Sequence, residues 1–422
     1  MTADRPDEAA AADDGADEVT PLLAPADGVP PVLSSPVEFG DAAQALTEGS
    51  GPVALDTERA SGYRYSQRAY LIQLRRNGSG SFLIDPIEHP EALSEVIDAL
   101  DGPEWILHSA EDDLPCLREL GFRGARLFDT AVAGRLLGLP KVNLAAMVAH
   151  FLHLGLVKGH GAADWSHRPL PDEWLNYAAL DVEVLVELRH AMHQALTDAD
   201  RLEWALQEFD YVLHRPPNPP RADRWRRTSN LHTLRTPRQL AIVRELWTAR
   251  EEVAARRDVA PGRVLPDSAI ITAATAAPTT EAALTRLPVF GGPRQRRQAR
   301  TWLSAVTRAL ELDDRDLPPR KQQSSGPPPI NRWEQRNPAA ARRIHEVRPA
   351  VKECAEGLGL TPEVLLAPDL VRELCWEGID HTSVADVEDW LRSRGARPWQ
   401  TEITGPVIAE GLSRASGPRR SA

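Results

Sequence analysis

The sequence predicts a mixed α/β domain, its sheet covered by helices, followed by two small all-helical domains. Three observations carry that expectation. Short aliphatic runs with strand character alternate with helical-period segments from residue 36 to 213. The blocks 234–314 and 336–415 read as helical throughout. Pro- and Arg-rich residues 214–233 and Pro- and Ser-rich residues 315–335 stand between the blocks as linkers.

The elements follow in order. Residues 1–35, rich in Asp, Ala and Pro without periodicity, are expected to be a disordered acidic tail, and 416–422 a second tail. "PVALDTE" reads as a strand, "AYLIQLRR" as another, and "SFLIDP" as a third after the turn "NGSG". "PEALSEVIDALDG" has helical apolar spacing at Leu93, Val96, Ile97 and Leu100, with Gly102 as its stop. "EWILHSA" is a strand and "EDDLPCLRELG" a helix. "RLFDTAVAGRLLGL" runs from a strand end into a helix, and "VNLAAMVAHFL" is helical. "PDEWLNYAALDVEVLVELRHAMHQAL" predicts one long amphipathic helix with a break near its start.

Composition narrows the function class. The net charge of −12 argues on its face against nucleic acid, but the charge is unevenly placed. Residues 1–20 hold seven acids and one Arg, whereas residues 215–310 hold eighteen Arg and seven acids. That asymmetry points to a basic, nucleic-acid-facing half behind an acidic tail. Cys116, Cys354 and Cys375 are far apart and odd in number, which fits a reducing compartment and no zinc cluster. No signal peptide and no membrane-length apolar run is evident, so the expectation is a cytoplasmic protein without a membrane partner.

The chemistry gathers around four carboxylates. In "VALDTERAS", Asp56 and Glu58 are two apart on a strand and so share a face. Two like charges that close repel unless a cation lies between them. "LHSAEDDLPCL" places Asp113 at the start of a helix, where ordinary capping is the plain alternative. "NYAALDVEVL" places Tyr177 and Asp181 one helical turn apart, about 6 Å along the axis. Asp181 falls among Leu180, Val182, Val184 and Leu185, where a carboxylate needs a partner. Four hard oxygen ligands from three segments suit two divalent ions, Mg²⁺ or Mn²⁺ rather than zinc.

These motifs, in this order, resemble those of the DEDDy 3′–5′ exonucleases, whose domain is a ribonuclease H-like mixed sheet covered by helices: Asp56-x-Glu58, His108 five residues before Asp113, and Tyr177 four before Asp181. "KGHGAADWSHRPLPDEWLNYAALDVEVL" resembles ribonuclease D in particular, through Lys158, Asp164-Trp165 and Arg168-Pro169-Leu170. Residues 234–271 resemble the HRDC domain that follows the nuclease in that family, and 336–410 its further C-terminal helical domain, as in actinobacterial members.

The resemblance implies roles. Asp56 would bridge both metals, Glu58 and Asp181 would hold the metal carrying the nucleophilic water, and Asp113 the second metal, partly through water. Within Glu111-Asp112-Asp113 either of the first two could be the ligand instead, and the spacing from His108 favours Asp113. Tyr177 would orient or deprotonate the water; a phenol of ordinary pKa near ~10 makes positioning the safer role. Lys158 and Arg168 would contact the 3′-end phosphates or merely brace a loop. Trp165 could stack a base but more simply anchors the loop. His108 reads as structural, and His150 and His153 as packing residues. Arg226 and Arg227 beside Trp225 suit RNA or a solvated hinge equally. The patch Arg294, Arg296, Arg297 and Arg300 could hold the RNA body.

The expected function is a two-metal 3′–5′ exoribonuclease acting on RNA with a single-stranded 3′ end, transfer-RNA precursors among them, and releasing nucleoside 5′-monophosphates. No stable protein partner is implied. A DNA 3′–5′ exonuclease of the same superfamily and a catalytically silent RNA-binding scaffold are the alternatives.

Overall fold

A computed structural model describes residues 19–156, 159–217, 219, 222–321 and 326–416. The first domain is built on a six-stranded mixed sheet in the order β2 (Val32–Leu33), β5 (Gly80–Ile84), β4 (Ala69–Asn77), β3 (Ser50–Arg59), β6 (Glu104–Leu107), β7 (Arg126–Asp129). β3, β4 and β5 form an antiparallel meander, while β6 and β7 add parallel to β3. β3 is long because Val53, Ala54 and Leu55 are buried on both faces before the carboxylates begin. The helices of this domain are α1 (Pro36–Glu48), α2 (Ser94–Ala99), α3 (Leu114–Glu119), α4 (Thr130–Leu136), α5 (Leu144–Leu152), α6 (Asp172–Glu183), α7 (Leu185–Asp198) and α8 (Leu202–His214). α1 starts at a Ser35–Glu38 capping box with Pro36 in its first turn.

The expected long helix is interrupted at Val184 rather than near its start. α6 packs on β3, β4 and β5, whereas α7 packs on β3 and β6. The sheet twists between those strands, and the helical path turns with it.

Residues 19–35 do not belong to the disordered tail expected of 1–35. Residues 1–18 lie outside the described residues, but 19–35 are part of the fold. β1 (Thr20–Leu22) pairs parallel with β8 (Leu154–Leu156), and β2 extends the sheet beside β5. Asn176 Nδ2 donates to the Leu23 carbonyl at 2.9 Å, the Ala26 N–H donates to Glu183 at 3.3 Å, and Asp27 faces Arg75 at 3.7 Å. This strap therefore lies across α6. Backbone pairing orders it despite its loop-like composition.

The first helical domain comprises α9 (Pro237–Arg257), α10 (Pro261–Val264), α11 (Asp267–Ala276), α12 (Glu281–Thr285), α13 (Pro293–Arg296) and α14 (Ala299–Glu311). Its own core includes Leu246, Ile270, Phe290 and Trp302. The linker ahead of it is only partly a linker, because Trp225 is buried in this core and Arg226 lies over its ring at 4.3 Å. Trp225 is therefore no base-stacking platform. The second domain comprises α15 (Trp333–Arg336), α16 (Pro338–Gly357), α17 (Pro362–Leu365), α18 (Pro368–Glu377), α19 (Val384–Arg392) and α20 (Pro398–Ser416). It begins earlier than expected. Trp333 is fully buried beside Trp376 and donates to the Pro328 carbonyl at 2.7 Å.

The two helical domains attach differently. The second shares one continuous core with the α/β domain. Trp399 stacks on Trp204 of α8, with ring centroids 4.9 Å apart and planes 15° from parallel. Trp399 Nε1 and Arg397 both donate to Glu208 at 2.7 Å. Arg201 bonds the carbonyls of Leu136 and Leu358. The first helical domain instead meets the loop after β3. The Ala260 N–H donates to the Tyr63 carbonyl, Arg263 to the Gly62 carbonyl and the Ser66 N–H to Asp258, each at 2.8 Å. Among the described residues no helix is long and apolar enough to cross a membrane.

Candidate active site

The carboxylates meet at the C-terminal ends of the parallel strands, where open α/β sheets place their sites. β3 runs past β6 and so carries Asp56 and Glu58 beyond the sheet's covered centre. The turn after β6 delivers Asp113, and α6 supplies Tyr177 and Asp181 from above. One oxygen from each of Asp56, Glu58 and Asp181 lies within 4.8 Å of the others. Asp113 stands just outside that trio. Its Oδ1 accepts from the Thr57 hydroxyl at 2.6 Å, and it makes no side-chain cap to its own helix. The plain capping alternative is thereby set aside. Glu111 and Asp112 are exposed, and Glu111 pairs with Arg215 at 2.8 Å, so Asp113 is the acid of this run that points inward.

Electrostatics show the strain of this grouping. Burial, then Asp113, Asp181 and Glu58, push Asp56 well above the usual carboxylate range. Burial and the charges of Asp181 and Asp113 raise Glu58 to about 9, with Arg59 opposing. Asp113 rises to about 6 by burial, against the pull of the Thr57 hydroxyl. Asp181 rises to about 7 by burial, against the neighbouring Tyr177 hydroxyl. Tyr177 is itself pushed up by burial and by Asp181 and Glu58, so it is a phenol at neutral pH. A cluster that resists ionisation without an added cation fits divalent metal, and oxygen-only donors fit a hard ion. Gln73 points the same way. It is directly opposite Asp56 across the β3–β4 pair, fully buried, and neither amide atom has a protein partner.

Several residues that build the site were missed from the sequence. Asp129 accepts from Ser109, Ala110, Ala131 and Val132 N–H groups, at 3.2, 2.8, 2.9 and 3.1 Å. It thus caps α4 and pins the turn that aims Asp113. Thr57 tethers Asp113 and touches Cys116 Sγ at 3.2 Å. A Cβ at Gly159 would overlap the Tyr177 ring, so only glycine lets the backbone approach there. The signals were present as an acid at a strand-to-helix junction and as glycines just before the helix that carries Tyr177. A pocket of about 300 Å³ opens beside Glu58, between the end of β3 and Gly161–Ala163. A cavity of about 1060 Å³ lies near Thr47, Arg76 and Arg189 at the N-terminal ends of the parallel strands, away from the carboxylates.

The other expected contacts divide. Lys158 lies outside the described residues. Arg168 does not offer itself to phosphate. Nε donates to Asp85 at 2.5 Å, one terminal nitrogen to the Trp165 and His167 carbonyls at 2.7 Å, and the other to the Tyr70 carbonyl at 2.8 Å. Four of its five donors are taken, so it braces the loop. Trp165 is fully buried beside Trp174 and anchors that loop. His108 bonds Thr130 at 2.8 Å and, desolvated and near Arg135, falls to about 4; it is neutral. His150 and His153 are exposed rather than packed into the core, because α5 turns its buried stripe, Met147 and Val148, the other way. Arg294, Arg296 and Arg297 are exposed and, among the described residues, carry no ion pair, while exposed Arg300 faces Glu281 at 3.4 Å.

Comparison with known proteins gives one answer. Residues 33–197 match the family described as 3′–5′ exonuclease, 239–306 the HRDC domain, and 326–412 the 3′ to 5′ exonuclease C-terminal domain. A ribonuclease D of Gluconacetobacter diazotrophicus is 30% identical over 75% of this chain and 82% of its own length. A crystal structure of a protein from Bifidobacterium adolescentis superposes with a TM-score of 0.85 at 36% identity, over 94% of this chain and 100% of that one. Escherichia coli RNase D shares the fold, with a TM-score of 0.64 at 22% identity over 91% and 98% of the two chains. With a buried carboxylate cluster inside the exonuclease match, and identity that extends through both helical domains, the chain belongs to the ribonuclease D family.

Proposed function

We propose that this chain is a 3′–5′ exoribonuclease whose work is done by Asp56, Glu58, Asp113, Tyr177 and Asp181. The observation that carries the reading is the trio of Asp56, Glu58 and Asp181 oxygens beside a protonated Tyr177. Bound Mg²⁺ or Mn²⁺ supplies a Lewis acid for the phosphodiester and a more acidic water. The chain's own groups do the rest. Asp56 would be shared by the two ions, Glu58 and Asp181 would hold the one that carries the water, and Asp113, held by Thr57, would hold the other. The Tyr177 phenol, its proton shared with Asp181, orients the water through its oxygen, and its raised pKa argues against a base. Water adds to phosphorus, the bond to the penultimate 3′ oxygen breaks, and a nucleoside 5′-monophosphate leaves.

The substrate is RNA with a single-stranded 3′ end, taken into the 300 Å³ pocket beside Glu58. Proteins named ribonuclease D support RNA over DNA, and transfer-RNA precursors follow from the family resemblance. The exposed Arg294, Arg296 and Arg297 are suited to the RNA body. We assign the nuclease to 36–213 with the 19–35 strap added, the HRDC domain to 234–314 with Trp225 of the preceding segment in its core, and the C-terminal domain to 326–415. Free cysteines at 116, 354 and 375 agree with a cytoplasmic site of action.

The test is a 5′-labelled RNA with a 3′ overhang and its DNA counterpart, incubated with Mg²⁺, Mn²⁺ or EDTA beside Asp181→Ala. Metal-dependent shortening of the RNA from its 3′ end, absent in the variant, is expected. Faster loss of the DNA would overturn the RNA assignment, and binding without shortening would overturn the enzyme.

A further inference from the structure

Arg59 directly follows Glu58, at the point where the β3–β4 register slips. It is half-buried and lines the 300 Å³ pocket together with Glu58, Ser61, Gly62 and Gly161–Ala163. Its charge reaches two of the carboxylates and the neighbouring thiol, opposing the rise of Glu58, Asp113 and Cys116. Arg64, Arg75 and Arg168 of this domain are committed to Ser166, Glu183 and Asp85, and Arg68 lies over the Tyr70 ring. The Arg59 guanidinium makes no ion pair and no hydrogen bond among the described residues, while its backbone stays in the β3–β4 ladder. A guanidinium on a pocket wall without a protein acceptor offers paired N–H donors that match two oxygens of a phosphate. The pocket is large enough for a small ligand.

We infer that Arg59 binds the phosphate of the 3′-terminal nucleotide, the group that departs as the 5′-phosphate of the released mononucleotide. The inference rests on the exonuclease reading and adds a substrate contact to it. Arg59 supplies what the carboxylates cannot, a fixed positive charge on the chain itself. It holds substrate and product alike, so its loss raises KM and weakens product binding together.

The experiment is calorimetric titration of the full chain in Mg²⁺ with AMP and with adenosine, for wild type, Arg59→Gln and Arg59→Lys. Wild type should prefer AMP. Arg59→Gln should weaken AMP about tenfold or more while leaving adenosine within about twofold, the loss expected for a charge-assisted hydrogen bond. Arg59→Lys should fall between, because it keeps charge but loses the fork. Mn²⁺ affinity without nucleotide, read by electron paramagnetic resonance, should not weaken in either variant. Equal losses for AMP and adenosine, or an AMP loss matched by lost Mn²⁺ affinity, would overturn the inference. So would a wild type that binds AMP and adenosine equally, a result that needs no folded variant. RNA shortening with an Arg59-independent AMP site would sink this inference alone. An Arg59-dependent AMP site on a chain that does not shorten RNA would support the contact and sink the exonuclease reading.

Discussion

The two helical domains are built of the same material and do opposite things. The core of the C-terminal domain runs on into that of the nuclease: Val347, Leu374 and Trp399 belong to the cluster that also holds Leu55, Phe128 and Phe209. The HRDC domain keeps a separate core and touches the nuclease through the loop that leaves the catalytic strand. One contact is centred on the Trp204–Trp399 stack of α8 and α20. The other joins hydrogen bonds to the packing of Tyr63 and Tyr65, and it grips the chain a few residues beyond Glu58. Shared apolar burial makes two domains one cooperative unit, whereas a few hydrogen bonds fix geometry without merging stability. The C-terminal domain thus supports the fold, and the HRDC domain shapes the entrance to the site.

The comparison can be sharpened first against a change that touches neither domain. Asp56→Asn should cut RNA shortening by at least about 10⁴-fold, as loss of one member of a catalytic unit does. It should also raise the metal-free melting temperature near neutral pH, because it replaces a carboxyl that burial and its acidic neighbours make costly to ionise with a neutral amide. A lower melting temperature would show that Asp56 supports the fold. Trp399→Ala comes next. It should cost about 3–5 kcal/mol and lower the melting of the nuclease and C-terminal domain together, with little change in activity per folded molecule. Two separate transitions for those regions in a calorimeter would break the shared-core account.

The acidic cluster gives the third. Glu58 and Asp181 have folded pKa values raised to about 9 and about 7, so the folded state holds protons that the unfolded chain has released. Stability of the metal-free protein should therefore fall as pH rises from about 5 to about 9. In scanning calorimetry with EDTA, the fall should appear in the shared-core transition and not in the HRDC transition. Mg²⁺ should reverse it at pH 8. The smallest effect is at the clamp. Asp258 sits in the left-handed region, φ 47°, and accepts from the Ser66 N–H at 2.8 Å and the Tyr70 hydroxyl at 3.4 Å. Asp258→Ala should cost about 1 kcal/mol and lower kcat/KM on short RNA about fivefold, while Asp258→Asn keeps an acceptor and should recover most of it. An alanine variant with unchanged kcat/KM would leave the HRDC domain as an RNA-binding appendage only.

Much of the site was legible because local periodicity dictates it. Asp56 and Glu58 share a face by strand geometry, and Tyr177 and Asp181 by helix geometry. Asp113 needed tertiary context, since burial separates it from Glu111 and Asp112. What could not be read depends on pairing between distant segments. Trp225, Trp333 and Trp399 look alike in sequence, yet one enters the HRDC core and two the shared core. Arg168 looked like a phosphate ligand because its partners, Asp85 and Tyr70, come from strands about a hundred residues earlier. The strap at 19–35 has loop composition, and only the free edges at β5 and β8 make strands of it.

The Trp204–Trp399 stack and the bonds around Glu208 have a consequence for how the polypeptide can be divided. Where two stretches of chain bury a common interior, the peptide link between them does not hold them together. Cleavage at Gly326 would leave a C-terminal piece still seated on α8, and the enzyme could be assembled from two separately made chains, switched on by mixing them.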